Sequence, residues 1–288
     1  MRKLFISTDS TAAVTEELQS HFGIVVVPFT LRGDGFSLED RILGIDEAEK
    51  TLSPSVSNAQ SLPPSAAQYE EIFDDLADKN GDILHISCGS FLSSAYGSAL
   101  KAAKNTMVKF RRASVYVVDS HADGAGHALV LERAVSLAGQ GLSPAEMYVE
   151  LSQLAARLEQ YVVSPLSDEK TFALTGVDDS GRPYRMRKYS SFTAACAAIG
   201  KACKAAGISS AFYLYGSADV GLLLKAASRL RKEGCSDIRI NSMSICSCLK
   251  WGARAVYAAF EGNPRRFEEK PVYSPGRATD FFTLDDED

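Results

Sequence analysis

The hydroxyls of Ser90, Ser93 and Ser94 crowd one short loop, inside the stretch ILHISCGSFLSSAYGSALKAA from Ile83 to Ala103. Serine hydroxyls beside the free N–H groups of a helix N-terminus favour an anion, because the donors and the helix dipole both point at it. From Cys88 to Ser94 there is no His, Asp or Glu to act as a base, so this residue set suits holding an anion rather than breaking a bond. The competing reading is a plain strand-to-helix connection whose serines cap the helix. Asp9, Ser10 and Thr11 form a second polar group, and either cap a helix or edge a cleft shared with Ser90. His121 and His127 are six apart, poorly matched for one metal, and read as structural histidines. Cys246 and Cys248 would share one face of a strand; without a CxxC or a nearby His they read as buried free thiols.

These groups need elements to position them. Ile83, Leu84 and Ile86 make a buried strand, and Tyr96, Leu100 and Ala103 mark one face of the helix after the loop. Lys3–Ser7 and Ile24–Val27 read as earlier strands, with a helix from Ala12 to His21 between them. Gly33-Asp34-Gly35 signals a hairpin. A short helix is expected at Asp46–Leu52, then a Ser/Pro loop over Ser53–Ser65 that covers a site or merely connects. Ser65 opens a helix through Tyr69, Ile72, Phe73 and Leu76. Ser114–Val118 is a further strand, and Asp119-Ser120 caps a helix from Asp123 to Gly139. Pro144 opens a helix to Gln160 with Met147, Leu151, Leu154 and Leu158 as its seam. Beyond it the alternation weakens. Strands at Tyr161–Val163 and Thr171–Thr175 precede an Arg-rich strand, Arg182–Lys188, which reads as a solvated edge or a partner surface. Helices at Ser190–Ala206 and Asp219–Glu233 and strands at Ala211–Tyr215, Ile238–Ile240 and Met243–Ile245 follow. The expected class is α/β with two α/β domains: residues 1–160 around a mostly parallel sheet flanked by helices, and residues 161–262 mixed, with a polar tail over 263–288. A cleft between the halves is the default ligand site.

Composition narrows the function. The 288 residues are 45% hydrophobic and carry a net charge of −5, which does not suit a nucleic-acid binder. No apolar run is long enough to span a membrane. MRKLFISTDS offers a strand and a polar turn in place of the apolar core of a signal peptide, so a cytoplasmic protein is expected.

Several of these stretches occur together in one family. Ile6-Ser-Thr-Asp-Ser-Thr-Ala12, Val26-Val-Pro28, the SLPPS loop at Ser61, Ser90-Phe-Leu-Ser-Ser-Ala-Tyr96 and Val117-Val-Asp-Ser120 follow the order found in the DegV family, which the chain resembles over residues 3 to 260. The resemblance implies two α/β domains with a fatty acid between them, the acyl chain in an apolar tunnel and its carboxylate held by hydroxyls and an imidazole. It implies no cofactor beyond the bound fatty acid, and as partner a fatty acid kinase subunit that binds ATP. By position Ser90 matches the family's carboxylate-binding serine, and Ser61 falls where threonine is usual. Phe91 replaces a usual glycine. Lys250 stands at the place of the family's histidine, and Gly252 is the glycine retained nearby. Between Val163 and Thr171 the family carries a longer insert that covers the acyl chain and faces the kinase; here Ser164–Lys170 alone connects the strands.

The leading expectation is therefore a non-catalytic fatty-acid carrier. Ser90, Ser61, Lys250 and Thr11 would take the carboxylate, and Asp9, Ser10, Phe91, Ser93, Ser94 and Gly252 would line the cleft. A divergent member that has lost lipid binding and acts as a regulatory or interaction protein is the alternative. A serine-nucleophile hydrolase is the lesser one, since no Gly-x-Ser-x-Gly elbow is present.

Overall fold

The computed structural model describes residues 2–41, 59–167, 170–177, 182–205, 212–216, 220–252 and 254–262. The expected helix at Asp46–Leu52, most of the Ser/Pro loop, the turn at residues 178–181 and the tail lie outside these residues, as does part of the Ser164–Lys170 connection.

The first half opens with β1 (Lys3–Asp9), α1 (Glu16–Phe22) and β2 (Val25–Val27). A small antiparallel sheet follows, made of β3 (Thr30–Gly33), β4 (Phe36–Glu39) and β5 (Gln60–Leu62). Asp34-Gly35 is the two-residue hairpin turn between β3 and β4, with Gly35 at φ 80°. Next come α2 (Ala66–Asp78), β6 (Gly81–Ser87), α3 (Ala95–Lys109), β7 (Val115–Asp119), α4 (Gly124–Gly139) and α5 (Pro144–Ala155). The large sheet of this half is all parallel, in the order β2-β1-β6-β7. Both its faces are buried, as parallel strands require. Leu84, Ile86 and Val118 pack toward α4 and α5, whereas Ile83, Val115 and Val117 pack toward Tyr69 and Phe73 of α2 and Ala99 and Ala102 of α3.

The second half holds β8 (Leu158–Pro165), β9 (Phe172–Val177), β10 (Pro183–Tyr189), α6 (Phe192–Ala205), β11 (Phe212–Gly216), α7 (Val220–Lys232), β12 (Ile238–Ser242), α8 (Ile245–Trp251) and β13 (Val256–Glu261). Its mixed sheet runs β10-β9-β8-β13-β11-β12. Every residue of α4 from Gly124 to Leu131 is buried, so this helix has no solvent face over its first two turns. It lies between the sheets: Leu84 and Ile86 of the first and Tyr213, Tyr215 and Tyr257 of the second belong to one core with it. The Arg-rich strand is β10, at the edge of the sheet. Arg185, Arg187 and Lys188 are exposed, and a bulge between Arg185 and Arg187 interrupts its pairing.

Several elements depart from the sequence expectation, each for a physical reason. The helix expected from Ala12 is a single 3₁₀ turn, Ser10–Ala12. The α-helix starts only after Thr15, whose side chain accepts the Leu18 N–H at 3.2 Å. The helix from Pro144 ends at Ala155, because Leu158 and Gln160 pair with β13. Leu100 is 43% exposed: α3 turns its alanines, Ala95, Ala99, Ala102 and Ala103, to the core. Asp119 does not cap α4; Asp123 does. Cys246 and Cys248 lie on a helix, not on a strand, because Ser244 caps α8 by accepting the Ser247 N–H at 3.3 Å.

Candidate functional site

The carboxyl ends of β1 and β6 carry a run of polar residues with no access to water. Ser7, Thr8, Asp9, His85 and Ser87 are 0% exposed, and Thr11 is 1%. Buried polar groups at such a density must bond one another. Asp9 is the hub. It accepts the Tyr69 hydroxyl, the Ser87 hydroxyl at 3.0 Å and the Cys88 N–H at 2.8 Å, and His85 Nε2 faces it at 3.4 Å. Burial pushes its pKa up, but His85, His127 and the Tyr69 hydroxyl outweigh burial, and the carboxyl sits below its ordinary value. His127 is bonded through both nitrogens. Its Nε2 lies 3.0 Å from the Ile86 carbonyl, which only accepts, so Nε2 carries the proton and Nδ1 accepts the Thr11 hydroxyl at 3.2 Å. Burial lowers the His127 pKa, against the pull of the Asp9 carboxylate.

A second carboxylate, Asp123, locks the two halves together. It is 0% exposed and accepts the Gly124 N–H at 2.9 Å, the Ser247 hydroxyl at 2.8 Å, the Trp251 indole N–H at 3.1 Å and the Lys250 ammonium at 3.1 Å. Burial opposes its charge, yet Lys250 and these donors hold its pKa below the ordinary value. Lys250 is 13% exposed, and Asp123 holds its pKa above the ordinary value against burial. A third carboxylate, Asp40, accepts the Cys246 N–H at 2.8 Å and the Ser10 hydroxyl at 2.7 Å, and burial raises its pKa. The start of α8 is thereby fixed to the first half.

The serine loop is packed against the loop after β7. A Cβ at Gly89 would stand 2.7 Å from the Ala122 nitrogen and 2.8 Å from the His121 carbonyl carbon, so only glycine fits. The Gly89 N–H goes to the Ala122 carbonyl, the Ser90 N–H to Asp119, and the Leu92 and Ser93 N–H groups both to the Gly89 carbonyl. This narrows the expectation of free amides waiting for an anion: contacts to the loop after β7 take those of Gly89 and Ser90, and a turn within the loop takes those of Leu92 and Ser93. What the loop still offers is hydroxyls. Ser90 and Ser93 are half-buried and Ser94 is exposed, and Ser93 Oγ accepts the Ala95 N–H at 3.1 Å. Ser61 is half-buried and bonded to the Cys246 thiol. The Lys250 ammonium lies within electrostatic range of the thiols of Cys88, at the head of the serine loop, and of Cys246.

The expected site residues therefore divide. Ser90, Phe91, Ser93, Ser61 and Lys250 each remain partly accessible. Thr11, Asp9 and Ser10 do not line a cleft; their polar atoms are turned inward to His127, to the Asp9 hub and to Asp40. Gly252 is exposed at φ 101°, where it closes α8 after Trp251. The residues that sequence reasoning missed are Asp40, Tyr69 and the pairing of Asp123 with Lys250. Asp123 carried a signal, as the acidic residue directly before a glycine-started helix. His85 and His127 do not serve Ser90, since His85 Nδ1 bonds Ser7 at 3.0 Å and His127 bonds Thr8 and Thr11; His121, against the loop, faces Asp119 through Nδ1 at 3.4 Å. Among the described residues no group of three His, Cys, Asp or Glu could hold a metal, and no helix is long and apolar enough to cross a membrane.

This arrangement is a two-part α/β fold, and solved structures share it. A DegV family protein from Ruminococcus gnavus, described with vaccenic acid, superposes with a TM-score of 0.79 at 15% identity, covering 89% of this chain and 99% of its own. A DegV lipid binding protein from Thermotoga maritima gives 0.77 at 20% identity, covering 91% and 99%. The Streptococcus pneumoniae fatty acid kinase B3 protein, loaded with linoleic acid, gives 0.76 at 17% identity, covering 91% and 100%. Residues 3–165 match the DegV family, described as uncharacterised protein. The chain belongs to the DegV family. Curated relatives include DegV domain-containing proteins of Staphylococcus aureus, 26% identical over 163 residues, and of Caldanaerobacter subterraneus, 29% identical over 166 residues. The matched stretch spans 57% of this chain and 57% of each of those relatives.

Proposed function

We propose that this protein is a non-catalytic carrier. It holds a long-chain fatty acid between its two α/β parts, which divide near residue 160, and presents the carboxylate to the ATP-binding subunit of a fatty acid kinase. The family and the fatty acids named with its structural neighbours support this reading. The observation in this chain that carries it is the Lys250 ammonium, mostly buried yet not sealed, within electrostatic range of Cys88 at the head of the serine loop and of Cys246, to which Ser61 is bonded. A carboxylate is costly to bury bare, and this cluster supplies a cation and hydroxyl donors. Each methylene of the tail contributes about 0.8 kcal/mol on leaving water, so the tail provides most of the affinity and the head group its orientation.

Replacing Ser90 with alanine tests the anchor. Loss of one hydrogen bond to a charged group is worth about 1.5–3 kcal/mol, so palmitate should bind roughly 10- to 100-fold more weakly by calorimetry, with the unfolding midpoint unchanged. Equal affinity in wild type and variant would remove Ser90 from the site.

One observation favours the second reading, a divergent member without lipid. Asp123 already neutralises Lys250, and the amides of Gly89, Ser90, Leu92 and Ser93 are committed. On that reading wild type itself would bind neither palmitate nor oleate.

A further inference from the structure

Among the described residues the most exposed large apolar side chain is that of Val108, at 70%. It stands near the end of α3 together with Leu100, 43% exposed, and Met107, 39%. The helix turns Ala95, Ala99, Ala102, Ala103 and Thr106 to the core, and its opposite face carries Leu100, Lys101, Lys104, Met107 and Val108, all exposed. At 3.6 residues per turn these five share an arc of about 120°. Exposed Arg111 and Arg112 follow just past the helix end. From Ala95 to Ser114 the chain has five cations and no Asp or Glu, in a protein whose net charge is −5. The acids of α2 do not neutralise this face, because they are spent on its flank. Glu70 accepts the Asn105 amide at 2.7 Å and the Lys109 ammonium; Asp74 accepts the Thr106 hydroxyl at 2.6 Å and Lys109 at 2.8 Å. Lys101 feels Glu70 at a distance, and Lys101, Lys104, Arg111 and Arg112 form no ion pair with another described residue.

We propose that this face of α3 is a docking surface for an anionic phospholipid bilayer. Lys101, Lys104, Arg111 and Arg112 meet the lipid phosphates, and Leu100, Met107 and Val108 enter the boundary between head groups and acyl chains. Charge complementarity selects a partner rich in negative charge, and the apolar side chains set between the cations select one with an apolar layer just beneath it. A nucleic acid would use the cations and leave Leu100, Met107 and Val108 in water. A second copy of this chain would set like charges against each other across a two-fold axis. A bilayer with acidic head groups satisfies both kinds of side chain at once.

The test is co-sedimentation of the full chain with vesicles of equal parts phosphatidylglycerol and phosphatidylcholine, and with vesicles of phosphatidylcholine alone, in low and in molar salt. The expected result is binding to the anionic vesicles that salt reverses and that the neutral vesicles lack. Each cation at an anionic surface is worth about five-fold in binding, so Lys101→Glu with Lys104→Glu is expected to lose roughly 25-fold or more. Leu100→Ser with Val108→Ser is expected to weaken binding while the salt dependence stays. A control pair on the exposed side of α7, Lys225→Glu with Lys232→Glu, is expected to bind as wild type does. All six side chains are exposed, so circular dichroism and the unfolding midpoint should match wild type. Absence of binding by wild type in low salt would overturn the proposal, as would equal losses in the α3 and α7 charge variants. Binding that charge reversal abolishes and the two serines leave untouched would overturn the seating of the apolar side chains and turn the face over to an acidic protein surface.

Discussion

Replacing Asp123 with alanine is expected to destabilise the protein by about 3–5 kcal/mol, because removing one partner of a buried ion pair leaves the other charge uncompensated. Asp123 accepts four donors, from Gly124, Ser247, Lys250 and Trp251, and two of these side chains, those of Lys250 and Trp251, close the last turn of α8. The alanine variant would lose the cap of α4 and the tie between the halves together, and would strand an ammonium that is 13% exposed. Urea unfolding checks the size. A double variant, Asp123→Ala with Lys250→Met, should recover part of the loss, since both charges are then gone. The pH dependence follows from the direction of each shift. The depressed pKa of Asp123 gives stability that is complete above its ordinary value of 3.8 and is lost as the pH falls through the folded value. The raised pKa of Lys250 gives stability that is complete below its ordinary value of 10.5 and is lost as the pH rises through the folded value. The difference between wild type and the alanine variant should therefore be flat through neutral pH and shrink at both extremes.

The second large effect is expected at Asp9. Asp9→Ala would leave the Tyr69 hydroxyl, the Ser87 hydroxyl and the Cys88 N–H without an acceptor in a place no bulk water reaches. Each unsatisfied buried group costs about 1–3 kcal/mol, and with partial relaxation the total should be roughly 3–5 kcal/mol. Asp9→Asn should be only a little milder, because its amide NH₂ would face donors rather than accept from them. The Cys88 N–H is the first group of the serine loop, so this variant should also loosen the loop. Amide hydrogen exchange over residues 88–95 should quicken more than exchange in α6. Equal exchange in both regions would mean that Asp9 supports the core without positioning the loop.

Local signals explain what could be read ahead of the structure. The β-branched and apolar runs of β1, β2, β6 and β7, the Asp34-Gly35 turn, the Ser65 cap and the helix start at Pro144 are encoded within a few residues, and these formed as expected. The Arg-rich run formed an edge strand because its charges leave no buried face. The site was legible only in part. Ser90 and Lys250 could be picked out by type and by resemblance, but the partner of Lys250 lies 127 positions earlier, and the Cys246 amide meets Asp40 across 206 positions. The run Ile-Cys-Ser-Cys suits a strand or a helix equally, and Asp40 at its first turn accompanies the helix. The Gly89 and Ser90 amides looked free because their acceptors, the Ala122 carbonyl and the Asp119 carboxylate, become neighbours only after β6 and β7 pair.

The carrier reading is tested most directly by native mass spectrometry of the wild-type chain purified from a bacterial host, followed by denaturing extraction of whatever is bound. The account predicts a complex heavier than the chain by one fatty acid of palmitate or oleate size, released on denaturation and restored when the emptied protein is given that acid. A chain that purifies at its own mass and stays there after palmitate and oleate are added would contradict it, and would leave the fold without lipid as a surface for other partners.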